Sequence, residues 1–316
     1  MTKVFIDGRE GTTGLRIMER MEGRKDIELL TISDELRKDP AERARLINAS
    51  DITFLCLPDA AAMEAASLCT NDHTKIIDAS TAHRTAEGWA YGYPELSKEH
   101  REAVATCNRI ANPGCHATGF ITAVYPLVKG GIMPADYPVS AFSLTGYSGG
   151  GKKMIAQYEG EDREAELDAP RAYALSQKHK HLKEMKMVCG LTRDPLFSPI
   201  VADYYSGMLV TVPLYADLLT KKMTPSEMRD YFADYFKGEP FIKVREFGAE
   251  EASSSFLSGN TLSGRDDLEI FITGNEERIL VNVRFDNLGK GASAAAVECM
   301  NIALGLEPTT GLCLGE

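Results

Sequence analysis

The 316-residue sequence is long enough for two domains, or for one nucleotide-binding domain with a second domain inserted into it. With 44% hydrophobic and 26% charged residues it has the make-up of a globular protein with a sizeable core. A formal net charge of −11, without any Lys/Arg-rich block, argues against a nucleic-acid partner and leaves room for an anionic substrate only in a local basic pocket. Seven cysteines (Cys56, Cys69, Cys107, Cys115, Cys189, Cys299 and Cys313) form an odd set with no CxxC spacing, which speaks against a disulfide framework and a structural zinc site. No bound metal is expected. No apolar stretch approaches the length of a membrane span, and the chain passes at once into a strand-like segment, leaving no room for a signal peptide. The expectation is a reduced, cytoplasmic protein with no membrane partner.

The first third alternates strand and helix patterns. Lys3–Asp7 reads as a short strand, Thr12–Met21 as a helix, Ile27–Ile32 as a strand and Pro40–Asn48 as a helix. Ile52–Leu57 is a third strand, with Cys56 a small core residue, followed by an alanine-rich helix over Asp59–Leu68 and a buried strand at Lys75–Ala79. Such alternation gives a parallel sheet covered on both faces. Beyond this the pattern changes. Val139–Tyr147, Ile200–Tyr205 and Met208–Tyr215 read as strands without a helix between each successive pair. Thr224-Pro225-Ser226-Glu227 is a capping box opening a helix to about Phe236. Leu268–Gly274 and Arg278–Asp286 flank Asn275-Glu276-Glu277 as an antiparallel hairpin, and Ala292–Leu304 closes the chain with an alanine-rich helix.

Gly8-Arg9-Glu10-Gly11-Thr12-Thr13-Gly14 follows the first strand and leads into the first helix. Glycine there permits positive φ and close approach of a pyrophosphate to backbone amides, and the helix N-terminus supplies a favourable dipole. The GxxGxxG spacing departs from the usual GxGxxG, so the position between strand and helix carries the argument. Asp34 stands where an acidic residue could hold the ribose 2′-hydroxyl of NAD, whereas Ser33, Arg37 and Lys38 could bind the 2′-phosphate of NADP.

In Asn112-Pro113-Gly114-Cys115-His116-Ala117-Thr118-Gly119, proline and glycine form a tight turn that puts Cys115 at or near a helix N-terminus, where the dipole favours thiolate. A buried, inert cysteine is the competing reading. A nucleophilic cysteine needs a proton-handling group and a third group to orient it. His179-Lys180-His181-Leu182-Lys183-Glu184, at the start of a probable helix, offers His179 or His181 with Glu184 three residues on. His116 is discounted because adjacent helical side chains do not face each other. Ser148-Gly149-Gly150-Gly151-Lys152-Lys153 fits either an anion-binding nest or a mobile turn with solvated lysines.

Taken together these segments resemble N-acetyl-gamma-glutamyl-phosphate reductase in its short (type 2) form. The resemblance also takes in Leu57-Pro58-Asp59, Asp78-Ala79-Ser80, Tyr91-Gly92-Tyr93-Pro94-Glu95 and Asp286-Asn287-Leu288-Gly289-Lys290-Gly291-Ala292, and spans nearly the whole chain. It implies an α/β fold like that of aspartate-semialdehyde dehydrogenase. A Rossmann-type NADP domain over 1–114 plus 288–316 would be interrupted by an α+β catalytic and oligomerisation domain over 115–287. It implies a homo-oligomer, dimer or tetramer, and NADPH-dependent reduction of an acyl phosphate to an aldehyde in arginine biosynthesis. Matched residue by residue, Cys115 takes the nucleophile's place, His181 that of the acid/base with His179 as alternative, and Glu184 that of the following glutamate. Cofactor contacts fall on Gly8, Gly11, Thr12, Thr13, Gly14, Ser33, Arg37, Pro58, Ser80, Ser148, Gly149 and Asn287. Lys183 stands where longer relatives more often carry proline. Rival readings are a related reductase for aspartyl or aminoadipyl phosphate, a cysteine hydrolase or acyltransferase with a Cys115/His181 dyad, and a non-catalytic dinucleotide sensor.

Overall fold

The computed structural model describes residues 1–249 and 255–315, which form two compact units. The first comprises Met1–Gly114 and Ala292–Leu312; the second comprises Cys115–Gly291 and the chain from Cys313 on.

The first unit is built on a six-stranded sheet of β1 (Thr2–Asp7), β2 (Ile27–Leu30), β3 (Ile52–Leu55), β4 (Lys75–Asp78), β5 (Ala90–Tyr91) and β6 (Arg109–Ala111). Its order is β2-β1-β3-β4-β6-β5, and every pairing is parallel. The period-2 alternation of side chains divides each strand between two cores. Val4, Ile6, Ile52, Phe54 and Ile77 pack on one face with Ile17 and Met21 of α1 (Thr12–Met21). The same core takes Val104 of α4 (Lys98–Thr106) and Ala296, Val297 and Met300 of the last helix, Ala294–Ala303. Phe5, Leu55 and Ile76 point the other way, onto Leu46 and Ile47 of α2 (Pro40–Ala49) and Ala62 and Ala65 of α3 (Asp59–Ser67). Strand order reverses beside β1, so the loop after β1 opens where doubly wound sheets bind their ligands.

The second unit carries a seven-stranded mixed sheet. Its strands are β7 (Ser140–Gly146), β8 (Arg171–Ala172), β9 (Leu196–Ala202), β10 (Met208–Tyr215), β11 (Ile242–Val244), β12 (Leu268–Gly274) and β13 (Arg278–Phe285), in the order β11-β12-β13-β10-β7-β9-β8. Helix α5 (Cys115–Lys129) lies directly on β10 and β13. A Cβ at Gly119 would come within 2.5 Å of Val210 and 2.8 Å of the Phe285 ring, so only glycine lets the helix seat this closely. Around it stand α6 (Gly151–Glu159), α7 (Leu182–Cys189) and α8 (Pro225–Tyr235). The capping box of α8 is formed in both directions: Glu227 N donates to Thr224 Oγ1 and Thr224 N donates to Glu227 Oε2.

Some elements differ from their sequence patterns. The strand expected at Ile200–Tyr205 runs instead over Leu196–Ala202 and includes Pro199, a residue that usually ends a central strand. It is tolerated because β9 still pairs in register with β7, and the Pro199 carbonyl accepts from Tyr173 N at 3.0 Å. Ser148–Lys153 is neither a loose turn nor a bare nest: Tyr147–Gly150 forms a 3-10 turn, and Gly151, at φ +70, starts α6. The last helix, α9 (Ala294–Ala303), is preceded by a π-helical turn over Gly289–Ser293. Leu288–Gly291 stays with the second unit, since Asp286 accepts from the backbone N–H groups of Leu288, Gly289 and Gly291. Cys313 is likewise tied to Asp266 through both its N–H and its carbonyl.

Candidate active site

The residues singled out by sequence fall into two sets, one in each unit. In the first unit the glycine loop has a separate reason for each glycine. Gly8 has φ +86, and a Cβ there would lie 2.4 Å from the Cys56 carbonyl oxygen. A Cβ on Gly14 would meet the Gly8 carbonyl oxygen at 2.7 Å and the Arg9 backbone at 2.8 Å, so this residue lets α1 close onto the loop. Gly11 has ordinary φ and no protein atom nearer than 3.5 Å to such a Cβ, so nothing in the chain itself demands glycine there. Such a position leaves the backbone open to the approach of a ligand. Helix α1 has no side-chain cap and no acidic residue in its first turn. A cavity of about 180 Å³ opens at this point, lined by Gly11, Thr12, Thr13, Cys56, Leu57 and Ala79. Uncapped amides beside a cavity suit a pyrophosphate. Burial pushes the Cys56 thiol up to about 12, so the sulfur at this cavity stays protonated and is no second nucleophile.

Ser33, Arg37 and Lys38 are exposed beyond β2. Arg9, which sequence reasoning passed over, reaches the same place, with Nη2 3.6 Å from Asp34 Oδ1. A guanidinium beside the acidic residue suits a ribose carrying a 2′-phosphate. Pro58 precedes the first turn of α3. Ser80 is fixed by buried Asp78, which accepts from Ser80 N at 2.9 Å and Ser80 Oγ at 2.7 Å and also bonds His83 Nδ1 at 2.6 Å. His83 stacks on Trp89, the sole tryptophan of the chain, with centroids 3.8 Å apart.

The second set converges around the start of α5. Cys115 is the first residue of that helix, is partly exposed and is in no disulfide. Gly291 packs against it: a Cβ there would sit 3.1 Å from Cys115 Cβ and 3.0 Å from the Phe285 ring. His181 is buried at the N-cap position of α7, and Glu184 is buried in the first turn of that helix. The His179 and His181 rings meet edge to face at 4.6 Å, and His179 Nδ1 accepts the His181 backbone N–H at 3.2 Å. That bond occupies one His179 nitrogen with the backbone. Ser148, Gly149 and Asn287 also come together: Asn287 Nδ2 donates to Ser148 Oγ at 3.0 Å, and Asn287 Oδ1 accepts from Gly207 N at 2.7 Å. Lys152, Lys153 and Lys183 are exposed.

His116 corrects the sequence reading. Adjacency on α5 does not remove it from the cluster, because its ring reaches His179 at 5.4 Å and His181 at 5.7 Å. Burial, aided by the charges of His179 and Lys180, lowers its pKa to about 3. At neutral pH it is an uncharged imidazole.

Residues 3–104 match the family described as semialdehyde dehydrogenase, NAD binding domain, and residues 115–287 match semialdehyde dehydrogenase, dimerisation domain. The chain is 44% identical over 318 residues to N-acetyl-gamma-glutamyl-phosphate reductase 2 of Nostoc sp., covering 98% of this chain and 99% of the relative. It is 45% identical over 306 residues to N-acetyl-gamma-glutamyl-phosphate reductase of Chelativorans sp., covering 96% and 98%. The chain belongs to the N-acetyl-gamma-glutamyl-phosphate reductase family. In solved structures the fold is matched by aspartate-semialdehyde dehydrogenase of Francisella tularensis, with a TM-score of 0.73 at 16% identity over 96% of this chain and 99% of the other. The fold of aspartate-semialdehyde dehydrogenase II of Vibrio cholerae, complexed with ASA, matches with a TM-score of 0.71 at 14% identity over 96% and 98%.

As a member of this family the chain is an oxidoreductase of amino-acid biosynthesis that uses NADP and acts on a small molecule. Among the described residues no helix is long and apolar enough to cross a membrane, and no group of three or more His, Cys, Asp or Glu side chains could hold a metal. Besides His116, sequence reasoning missed Ser143 and Tyr173, which bond the two His116 nitrogens. Nothing in their spacing gave a signal. Ser143 is one alternate residue of a strand, and Tyr173 lies six residues before His179 in a segment without periodicity.

Proposed function

We propose that this reductase converts N-acetyl-gamma-glutamyl phosphate to N-acetylglutamate 5-semialdehyde and phosphate, through a thioester on Cys115. The observation that carries the reading is Cys115 at the first position of α5, in the unit where His179 and His181 gather around His116 and Glu184 is buried in the first turn of α7. The helix N-terminus stabilises thiolate and keeps the sulfur nucleophilic near neutral pH. The S–H proton passes to a histidine, and the thiolate forms a C–S bond to the acyl carbon. The C–O bond to phosphate breaks with its electron pair, and the phosphate takes its proton from solvent, so the histidine keeps the one it received from the sulfur. In the first unit Gly8–Gly14, Ser33, Arg37, Pro58 and Ser80, and in the second Ser148, Gly149 and Asn287, are the residues that would hold NADPH, which would supply the hydride for reduction of the acyl carbon.

His181 protonates the oxyanion that develops on that carbon and takes the proton back as the carbonyl re-forms and Cys115 departs as thiolate. Amides at the start of α5 offer further stabilisation of the same oxygen. Glu184 orients the histidine from the first turn of α7. Lys152 and Lys153, on the exposed first turn of α6, are the basic side chains offered to the phosphate. The working enzyme is a cytoplasmic homo-oligomer, a dimer or tetramer, joined through the second unit. Light scattering of the purified protein reads that state directly. The reading is tested with N-acetylglutamate semialdehyde, phosphate and NADP, beside aspartate semialdehyde and a carrier-bound aminoadipyl analogue. NADPH formation with the first alone supports it, and preference for either of the others overturns the substrate assignment.

A further inference from the structure

Beside the glycine loop, the first unit brings together an arginine and a carboxylate from the ends of two neighbouring strands. Gly8, at φ +86, turns the chain out of β1, and Arg9 is the next residue. The root of this turn is fixed from the other side, because Asp7 is buried against Arg43, whose Nε donates to Asp7 Oδ2 at 3.0 Å. Arg9 then faces the end of β2: it borders a small cavity of about 30 Å³ with Met18 of α1 and with Leu29, Leu30 and Ile32. Apolar neighbours of this kind take the methylene stem of an arginine and leave its head at the surface. The head lies between two carboxylates, with Nη2 3.6 Å from Asp34 Oδ1 and Nε 3.4 Å from Glu10 Oε1.

Asp34 stands about twenty residues beyond the loop, past the end of β2, where an acidic side chain of a dinucleotide-binding sheet reaches the ribose 2′-hydroxyl. A guanidinium beside it changes the sign of what that ribose meets. Which charge dominates is decided by how each is held. The Arg9 side chain is 33% exposed and the Asp34 side chain 76%, so the arginine is the anchored charge and the carboxylate is the one that water claims. A pair with so exposed an acid is weakly held, and a more highly charged anion displaces it at small cost. A 2′-phosphate is such an anion, and its oxygens match the planar fork of an arginine. Arg37 and Lys38 are both exposed, so of these three cations Arg9 is the one set in place by its surroundings.

We propose that Arg9 is the residue that selects NADP over NAD, and that Asp34 is a counter-ion to its guanidinium rather than a ligand of the ribose. This assignment rests on the glycine loop as the site of NADP and owes nothing to the chemistry at Cys115. Without nucleotide, Asp34 balances the guanidinium. With NADP, the 2′-phosphate takes that place and Asp34 turns to water. NAD, whose 2′-hydroxyl carries no charge, cannot make the exchange.

The test is equilibrium binding of NADPH and of NADH to the full chain without substrate, read by the fluorescence of the nucleotide. Arg9→Met keeps the stem and removes the charge. It is expected to raise the Kd for NADPH about thirtyfold, the size of a lost charge-assisted contact, and to leave that for NADH within about twofold. Arg9→Lys keeps the charge without the fork and should fall between, at about fivefold for NADPH. Asp34→Asn should tighten NADPH about threefold and leave NADH unchanged, and in the Arg9→Met background it should recover part of the NADPH loss. Salt should weaken NADPH binding less steeply in Arg9→Met than in the wild type. An equal loss for both nucleotides in Arg9→Met shows damage to the loop and overturns the proposal, as does an unchanged Kd for NADPH. A raised Kd for NADH in Asp34→Asn, with NADPH unaffected, makes Asp34 the ribose ligand and overturns it too. Should Arg9→Met not fold, Arg9→Lys decides: a wild-type Kd for NADPH removes the role of Arg9. Failure of the cofactor reading itself is distinguishable, because the wild-type chain would then bind neither nucleotide, and the role of Arg9 falls with it.

Discussion

The glycine loop of the first unit and the cysteine cluster of the second serve their chemistry in opposite ways. The loop is seven consecutive residues, with glycines where a Cβ would strike the Cys56 carbonyl or the Gly8 carbonyl, and one, Gly11, where no protein atom would stand nearer than 3.5 Å. The cluster is built from side chains drawn from α5, β7, the segment before α7 and the turn before α9, residues far apart in sequence. A backbone site is tuned by what is left out of it. A side-chain site is tuned by what each neighbour does to the protonation of the next.

The comparison can be broken most sharply at the sulfur. Cys115→Ala is expected to reduce turnover by at least about four orders of magnitude, as loss of a covalent nucleophile does, while NADPH binding by fluorescence titration stays at the wild-type level. Retained turnover would remove the covalent route. His181→Asn should slow kcat by roughly two to four orders of magnitude, with His179→Asn less damaging because one of its nitrogens is committed to the His181 backbone. The reverse ranking in steady-state rates would exchange their roles.

In the loop the three glycines should separate. Gly8→Ala forces a methyl into the Cys56 carbonyl at positive φ and should cost about 2–3 kcal/mol in urea unfolding. Gly11→Ala should change stability by no more than about 0.5 kcal/mol yet raise the Kd for NADPH. Equal stability losses at the two positions would contradict the assignment of Gly11 to the ligand.

The smallest effect concerns the neutral histidine. The pKa of His116 is about 3 in the folded chain against the ordinary 6.5 of a histidine, so the unfolded chain binds the extra proton first. The stability this group contributes is whole above about pH 6.5 and is lost as pH falls toward 3. Between pH 6.5 and 5 the loss is about 2 kcal/mol, and His116→Asn should flatten that part of the curve in denaturant titrations. A variant that follows the wild-type slope would show that His116 is not the group titrating.

Sequence legibility divides along the same line. The first unit could be read almost element by element because local periodicity matches a sheet covered on both faces: Thr12–Met21 coincides with its helix, and Pro40 marks a helix start. In the second unit Met208–Tyr215 coincides with its strand and Thr224 marks a helix start. Pro199 misled because β9 tolerates it inside the strand, and the Ser148–Lys153 run concealed a helix start behind three glycines. In the site, Cys115, His179, His181 and Glu184 could be named because they sit in short segments with a recognisable chemical logic. His116, Ser143 and Tyr173 could not. Their meaning depends on β7 and on the segment after β8 being brought to the same helix end, which no local pattern encodes.

The Phe285 ring touches the positions of both Gly119 and Gly291, and Gly291 in turn lies against Cys115. The ring therefore acts as a shim between the sheet and the end of α5 that carries Cys115. Positions 119, 285 and 291 are therefore sterically coupled: a methyl gained at either glycine is space that the aromatic ring must give up, and a smaller residue at 285 would loosen the seat of Cys115 without altering a single polar group.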